Sequence, residues 1–167
     1  TIYGYDVNDR VIQSIIIKKL KYKEKWADEL LYKSKINLSG VVEMVQNTEI
    51  IFVAIQTPHQ KKYEGITRLP NERVDFDYSY LKEGIQLLAD TIKANGQSKI
   101  VVIISTVLPG TIRKEIKPLL NEFVKLCYNP YFIAMGTCIP DFLFNEINLL
   151  GVDDYNAADV VKKFYST

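Results

Sequence analysis

The sequence predicts an α/β fold, a doubly wound and mostly parallel sheet covered by helices on both faces. Three observations carry this expectation. Short apolar runs alternate with stretches whose apolar residues recur at helical spacing, the pattern of repeated strand and helix units. Two of the runs, Ile50 to Ile55 and Lys99 to Ile104, are continuous rather than alternating, as in strands buried on both faces. The 167 residues, 47% of them hydrophobic, are enough for one core and suit a single domain over 1–167.

Taken in chain order, Ile2 to Tyr5 reads as the first strand, and Val11, Ile12, Ile15, Ile16 and Leu20 then recur at helical spacing. From Lys21 to Leu38 the pattern is mixed: Trp26, Leu30 and Leu31 point to a helix and Lys35 to Leu38 to a short strand. The strand Ile50 to Ile55 leads into a long polar connection, His59 to Phe76, that contains Gly65 and Pro70. Connections of that length in compact domains are more often functional or disordered than neutral. Leu81, Ile85, Leu88 and Ile92 define a cover helix that starts after Asp77 as N-cap and ends at Asn95-Gly96. After the strand Lys99 to Ile104, a helix opens at Pro109 and runs through Ile112, Ile116, Leu119 and Phe123 toward Leu126. Ile147 to Gly151 reads as a further strand, and Tyr155 to Tyr165 as a closing helix that buries Val160, Val161 and Phe164.

Charge and cysteine content narrow the function classes. Lys and Arg number 21 against 20 acidic residues, and a net charge of +1 gives no general attraction to nucleic acid or anionic membrane. Cys127 and Cys138 are the only cysteines, without CxxC spacing, which argues against a disulfide framework and a thiolate metal site and for a reducing cytoplasm. They read as small buried hydrophobes. No uncharged apolar run approaches the roughly 18 residues of a membrane span. No metal-ligand spacing appears either. The lysines at 18, 19, 21, 23 and 25 read as a solvated face complementing a helix C-terminus rather than a nucleic-acid patch, and the lone His59 as a solvent-facing loop residue.

In an open parallel sheet, ligands bind beyond the carboxyl ends of the strands. Asp6 follows the first run, Gln56-Thr57-Pro58 the second and Ser105-Thr106 the third. Each residue type also serves as a turn former or helix cap, but all three strand ends carry short groups able to hydrogen-bond an approaching ligand. A carboxylate ending a short strand is how a Rossmann-like sheet accepts hydrogen bonds from the vicinal hydroxyls of an adenosine ribose. The matching glycine-rich phosphate loop lies roughly 20 residues upstream of such an Asp. Its position falls before Thr1, so the expectation is an N-terminally truncated domain without its first strand, loop and helix. The strands beginning at Ile2 and Ile50 would then either pair directly across the gap or receive another segment between them, since unpaired backbone is costly.

GYDVN at Gly4 to Asn8, the apolar strand running into Gln56-Thr57-Pro58, STVLPGT at Ser105 to Thr111, YNPYFIAMG at Tyr128 to Gly136 and LLGVDD at Leu149 to Asp154 together resemble the N-terminal NAD-binding domain of the UDP-glucose/GDP-mannose dehydrogenase family. The strings follow in order over nearly the whole chain. The resemblance implies an oxidoreductase that converts the C6 alcohol of a nucleotide sugar to a carboxylate in two NAD-dependent steps. It implies that Asp6 binds the adenosine ribose, with Arg10 a further cofactor contact although the family's basic residue falls one position later. It places Thr57 in the turn near the cofactor and Thr106 near the nicotinamide, where it helps place a catalytic water. The implied partner is a nucleotide-sugar substrate of the full-length protein, and a homo-oligomer is compatible with it. The departures are Tyr131 and Met135, which stand where the family pattern has glutamates. Neither takes a proton as a carboxylate does. The family's nucleophilic cysteine and lysine belong to later domains, so Cys127 and Cys138 are not assigned that role and the polypeptide alone is expected to be inactive. Two other classes stay open: a non-catalytic nucleotide-binding or assembly module, and a methyltransferase holding the ribose of S-adenosylmethionine with the same acidic residue.

Overall fold

The structure, a computed structural model, describes residues 1–66 and 68–166. Thr67, inside the polar connection, and Thr167 lie outside the described residues. In chain order the elements are β1 (Ile2–Gly4), α1 (Asp9–Ile16), α2 (Ala27–Lys33), β2 (Ile36–Leu38), α3 (Val41–Asn47), β3 (Ile50–Val53), α4 (Ser79–Asn95), β4 (Lys99–Ile103), β5 (Val124–Tyr128), α5 (Cys138–Leu143), β6 (Gly151–Val152) and α6 (Tyr155–Tyr165). They divide into two compact units, Thr1–Thr48 with Tyr131–Leu149, and Glu49–Pro130 with Leu150–Thr167.

In the first unit β1 and β2 form a parallel pair in the register Ile2 to Ile36 and Gly4 to Leu38. Gly4 allows the close approach: a Cβ there would lie 3.2 Å from the Ile36 side chain. α1 starts where Asn8 takes extended backbone and its side chain accepts the Arg10 N–H. It stops at Ile16 rather than continuing to Leu20, because Lys18 adopts φ +55, outside the right-handed helical region. α2 and β2 occupy the mixed segment. Lys18 does not serve its own helix; its Nζ donates to the carbonyls of Leu31 (2.8 Å) and Ser34 (2.6 Å) at the C-terminus of α2. α3, which the apolar spacing did not indicate, adds the fully buried Val45.

The second unit carries a four-stranded sheet in the order β3, β4, β5, β6, parallel except for the antiparallel β6. Val101, Val102 and Ile103 of β4 are almost wholly buried, as the continuous apolar run requires. α4 buries Leu81, Ile85, Leu88, Ala89 and Ile92 along one stripe. Gly96 at φ +71 ends it as predicted, whereas the N-cap position falls on Tyr78 rather than Asp77, whose side chain still accepts the Ser79 N–H at 2.9 Å just before the first turn.

Three expectations need correction. The helix opening near Pro109 does not reach Leu126. A wide-turned segment, Ile112–Ile116, passes into a single tight turn at Lys117–Leu119, and Val124–Tyr128 is a strand paired with β4. Pro118 supplies no N–H to extend the helix, and the Asn121 side chain then accepts the Phe123 N–H to redirect the chain. The strand expected at Ile147 to Gly151 is confined to Gly151–Val152, since Asn145 and Asn148 bond each other through their side chains and hold the preceding residues in a bend. Closing helix α6 has the predicted limits, but it buries Ala157, Ala158 and Val161, while Val160 and Phe164 stay exposed at 38% and 45%. The Phe164 ring still packs on Phe52, with centroids 5.1 Å apart.

Nor do the strands beginning at Ile2 and Ile50 pair with each other among the described residues: β1 pairs with β2 and β3 with β4, in separate sheets.

Candidate functional site

Asp6 stands just beyond β1, half-buried, and its Oδ1 accepts the Asn8 N–H at 2.7 Å. This Asx turn fixes the carboxylate at the carboxyl end of the strand without a cation, and among the described residues Asp6 forms no ion pair. A carboxylate so held keeps acceptor capacity for a pair of hydroxyls, so its acceptor oxygens fit a ribose. Arg10 is exposed; the contact that ties it to this turn is its backbone N–H to Asn8 Oδ1 at 3.0 Å.

The second unit brings Thr57, Pro58, Ser105 and Thr106 together. Ser105 is buried, and its hydroxyl accepts the Ile55 N–H at 2.9 Å while lying 3.4 Å from the Val53 carbonyl. The Thr57 hydroxyl donates to the Thr106 carbonyl at 2.7 Å. These two bonds latch the ends of β3 and β4 to each other after their ladder stops. Thr106 and Gln56 are exposed beside the latch. The Pro58 carbonyl accepts the Asp77 N–H at 2.8 Å, so the long polar connection leaves and rejoins the fold at one closed base.

Sequence reasoning missed Tyr78. Its side chain is 7% exposed, and its Oη lies 2.5 Å from Asp75 Oδ1, 3.1 Å from the Leu108 N and 3.2 Å from the Thr111 Oγ1. Burial, with the Asp75 hydrogen bond behind it, pushes the phenol pKa up, so it remains a proton donor. The available signal was an aromatic hydroxyl just after the carboxylates of Asp75 and Asp77, at the end of a polar loop.

The YNPYFIAMG string is divided by the unit boundary. Asn129, 1% exposed, receives the Tyr165 hydroxyl on its Oδ1 and donates its backbone N–H to the Ile103 carbonyl. In the first unit Tyr131 packs on Phe142, with ring centroids 5.2 Å apart, and Met135 is 99% exposed. Glu24 secures the following turn by accepting the N–H groups of Gly136 and Cys138 at 2.8 and 2.7 Å. Cys127 is fully buried and burial raises its thiol pKa; Cys138, only half-buried, is likewise raised by desolvation and by Glu24. His59 is exposed, its ring 6.2 Å from that of Phe76. Among the described residues no cluster of His, Cys, Asp and Glu could hold a metal ion, and no helix is long and apolar enough to cross a membrane.

The model of the UDP-glucose/GDP-mannose dehydrogenase family, NAD binding domain, matches residues 1–167. The chain is 24% identical to GDP-mannose 6-dehydrogenase of Pseudomonas aeruginosa over 98% of its own length and 38% of the relative's. It is 27% identical to UDP-glucose 6-dehydrogenase of Rickettsia bellii, over 74% of this chain and 26% of that one. Among solved structures it is similar in fold to a ternary complex of GDP-mannose dehydrogenase from P. aeruginosa, with a TM-score of 0.84 at 22% identity over 98% of this chain and 38% of that chain. A UDP-glucose dehydrogenase from Pyrobaculum islandicum matches with a TM-score of 0.78 at 22% identity, over 99% and 38%. The chain thus spans about 38% of the length of the first of these relatives. These matches favour neither the methyltransferase nor the non-catalytic module.

Proposed function

The chain belongs to the UDP-glucose/GDP-mannose dehydrogenase family, and on that premise we propose that residues 1–167 are the NAD-binding portion of an enzyme that oxidises the C6 alcohol of a UDP- or GDP-sugar to the acid. The observation that carries the reading is Asp6, a carboxylate fixed by the Asn8 N–H at the carboxyl end of a parallel strand and unpaired with any cation among the described residues. Asp6 accepts the ribose hydroxyls, and Arg10, in the first turn of α1, is a second contact. Bound NAD would supply the hydride acceptor for each of the two oxidations. Thr57 and Ser105 hold the strand ends through their hydroxyl bonds, Gln56 and Pro58 border them, and Thr106 presents its exposed side chain toward the nicotinamide and a catalytic water.

Tyr131 and Met135 offer no carboxylate for proton transfer, so the 167 residues by themselves bind but do not turn over. The two thiols, neither in a disulfide, support a cytoplasmic setting, where nucleotide sugars serve as substrates. A homo-oligomer is the assembly state in keeping with the reading.

Titration of NAD into the protein that carries this chain, and into its Asp6→Asn variant, tests the proposal. Loss of a charge-assisted hydrogen bond to the ribose is expected to weaken NAD about tenfold or more. Equal affinity of wild type and variant, or displacement of NAD by S-adenosylmethionine, removes the reading.

A further inference from the structure

The phenol of Tyr78 has one proton to give and two lone pairs to receive with, and all three are used. Its Oη gives the proton to Asp75 and accepts from the Leu108 N–H and the Thr111 hydroxyl, at 2.5, 3.1 and 3.2 Å. Asp75 and Leu108 sit in no regular strand or helix, and Thr111 opens the helical turns after β4. Asp75 ends the polar connection, Leu108 lies in the turn after β4, and Thr111 begins the wide-turned segment. Tyr78 itself immediately precedes the 17-residue helix α4, packed by five buried residues, which makes it the fixed end of the arrangement.

We propose that Tyr78 is a positioning residue that sets the turn Ser105 to Thr111, and through it the direction in which Thr106 faces the cofactor. The turn is held at two places. On one side the Thr57 hydroxyl grips the Thr106 carbonyl. On the other, two residues later, the Tyr78 hydroxyl grips the Leu108 N–H. Thr106 lies between a latch to the end of β3 and a latch to the start of α4, so its backbone cannot swing without breaking one of them. The same phenol binds Asp75, and a change in the polar connection is thereby transmitted to the turn.

The inference rests on the NAD reading above, and the test separates the two. The dissociation constants of NAD and of ADP-ribose, which lacks the nicotinamide, are measured for wild type, Tyr78→Phe and Asp75→Asn in the protein carrying this chain. Tyr78→Phe keeps the ring and removes the latch; NAD is expected to weaken about five- to tenfold and ADP-ribose less than about twofold. Asp75→Asn retains an oxygen that accepts the phenol proton and is expected to stay within about threefold of wild type for NAD. A general loss of structure would weaken both ligands alike, and that result, or no change in either, overturns the inference while leaving the cofactor reading intact. Failure of wild type to bind NAD overturns the cofactor reading, and the inference with it. Should circular dichroism show Tyr78→Phe unfolded, Thr111→Val removes one arm of the same hub and must give a smaller split in the same direction; an equal effect on both ligands overturns the proposal.

Discussion

Both units present a polar strand end, but they hold it by different means. In the first unit the bonds around Asp6 are local: Asn8 to Asp6 and Arg10 to Asn8 each span two residues. In the second, Ser105 reaches Ile55 across 50 residues, Thr57 reaches Thr106 across 49, and Tyr78 reaches Leu108 and Thr111 across 30 and 33. A local turn forms wherever its own few residues are placed, whereas the long-range latches exist only when the sheet and α4 are assembled. The cores differ in the same direction. The buried apolar side chains lie mainly in β3, β4, β5, α4 and α6, while the first unit contributes Ala27 and Val45 and leaves Ile2, Ile16 and Ile17 exposed. The difference teaches that the turn holding Asp6 depends little on tertiary packing and the turn from Ser105 to Thr111 depends on it throughout.

The largest effect that would break this comparison is in the core. Ile103→Ala, at a fully buried β4 position, is expected to cost about 2–5 kcal/mol in denaturant unfolding. Ile2→Ala, in β1 at 59% exposure, is expected to stay within about 0.5 kcal/mol. Native-state amide exchange should rank the units likewise, slowest in β4 and β5 and faster in β1 and β2. Similar costs for the two substitutions would mean that the first unit has packing equal to that of the second.

The latches come next. Ser105→Ala leaves the Ile55 N–H without its acceptor in a part-buried place, a loss of about 1–3 kcal/mol. Asn8→Ala removes the local cap of α1, where about 1 kcal/mol is the usual cost and water can reach the freed N–H. Thermal unfolding of the two variants measures the contrast. If Asn8→Ala proved the more damaging, the local turn would be carrying structure beyond its own residues.

These differences explain what could be read from the residues and what could not. Buried β-branched runs announce β3 and β4 because burial on both faces leaves no alternation to interrupt them. α4 is legible for a related reason: its 17 residues repeat the apolar spacing often enough, and Asp77 and Gly96 mark both ends. The misreading at Ile112 to Leu126 arose where apolar spacing continued across a real break. Ile112, Ile116, Leu119 and Phe123 keep a helical interval, and Pro118 at the break is the one residue that contradicts it. α3 escaped notice because seven residues hold too few repeats for periodicity to register. Of the candidate site, Asp6, Thr57, Ser105 and Thr106 were legible by position, as polar residues after apolar runs. Tyr78 was not, because its importance lies in partners 30 and 33 residues away that no local pattern reveals.

The smallest expected effect is electrostatic, and it contrasts the units once more. Glu115 lies 2.8 Å from Lys82 of α4, and that hydrogen bond, followed by Lys114, holds its carboxyl below the usual carboxylate range. In the first unit Lys33 lowers Glu29 in the same way across one helical turn. A carboxyl depressed in the folded state binds its proton more readily in the unfolded state, so its stabilisation is complete above the unfolded pKa and is lost as pH falls through the lower folded value. The advantage of wild type over Lys82→Met should therefore shrink as pH falls from about 6 to about 3. Both pairs are exposed enough for water and salt to weaken them, Lys33 and Glu29 at 66% and 64% more so than Lys82 and Glu115 at 42% and 26%. Melting curves across that pH range, at low and high salt, should show a small salt-sensitive acid limb for Lys82→Met and a still smaller one for Lys33→Met. A larger acid limb for Lys33→Met would reverse the order, because a pair spanning four residues would then stabilise its unit more than one joining α4 to the segment after β4.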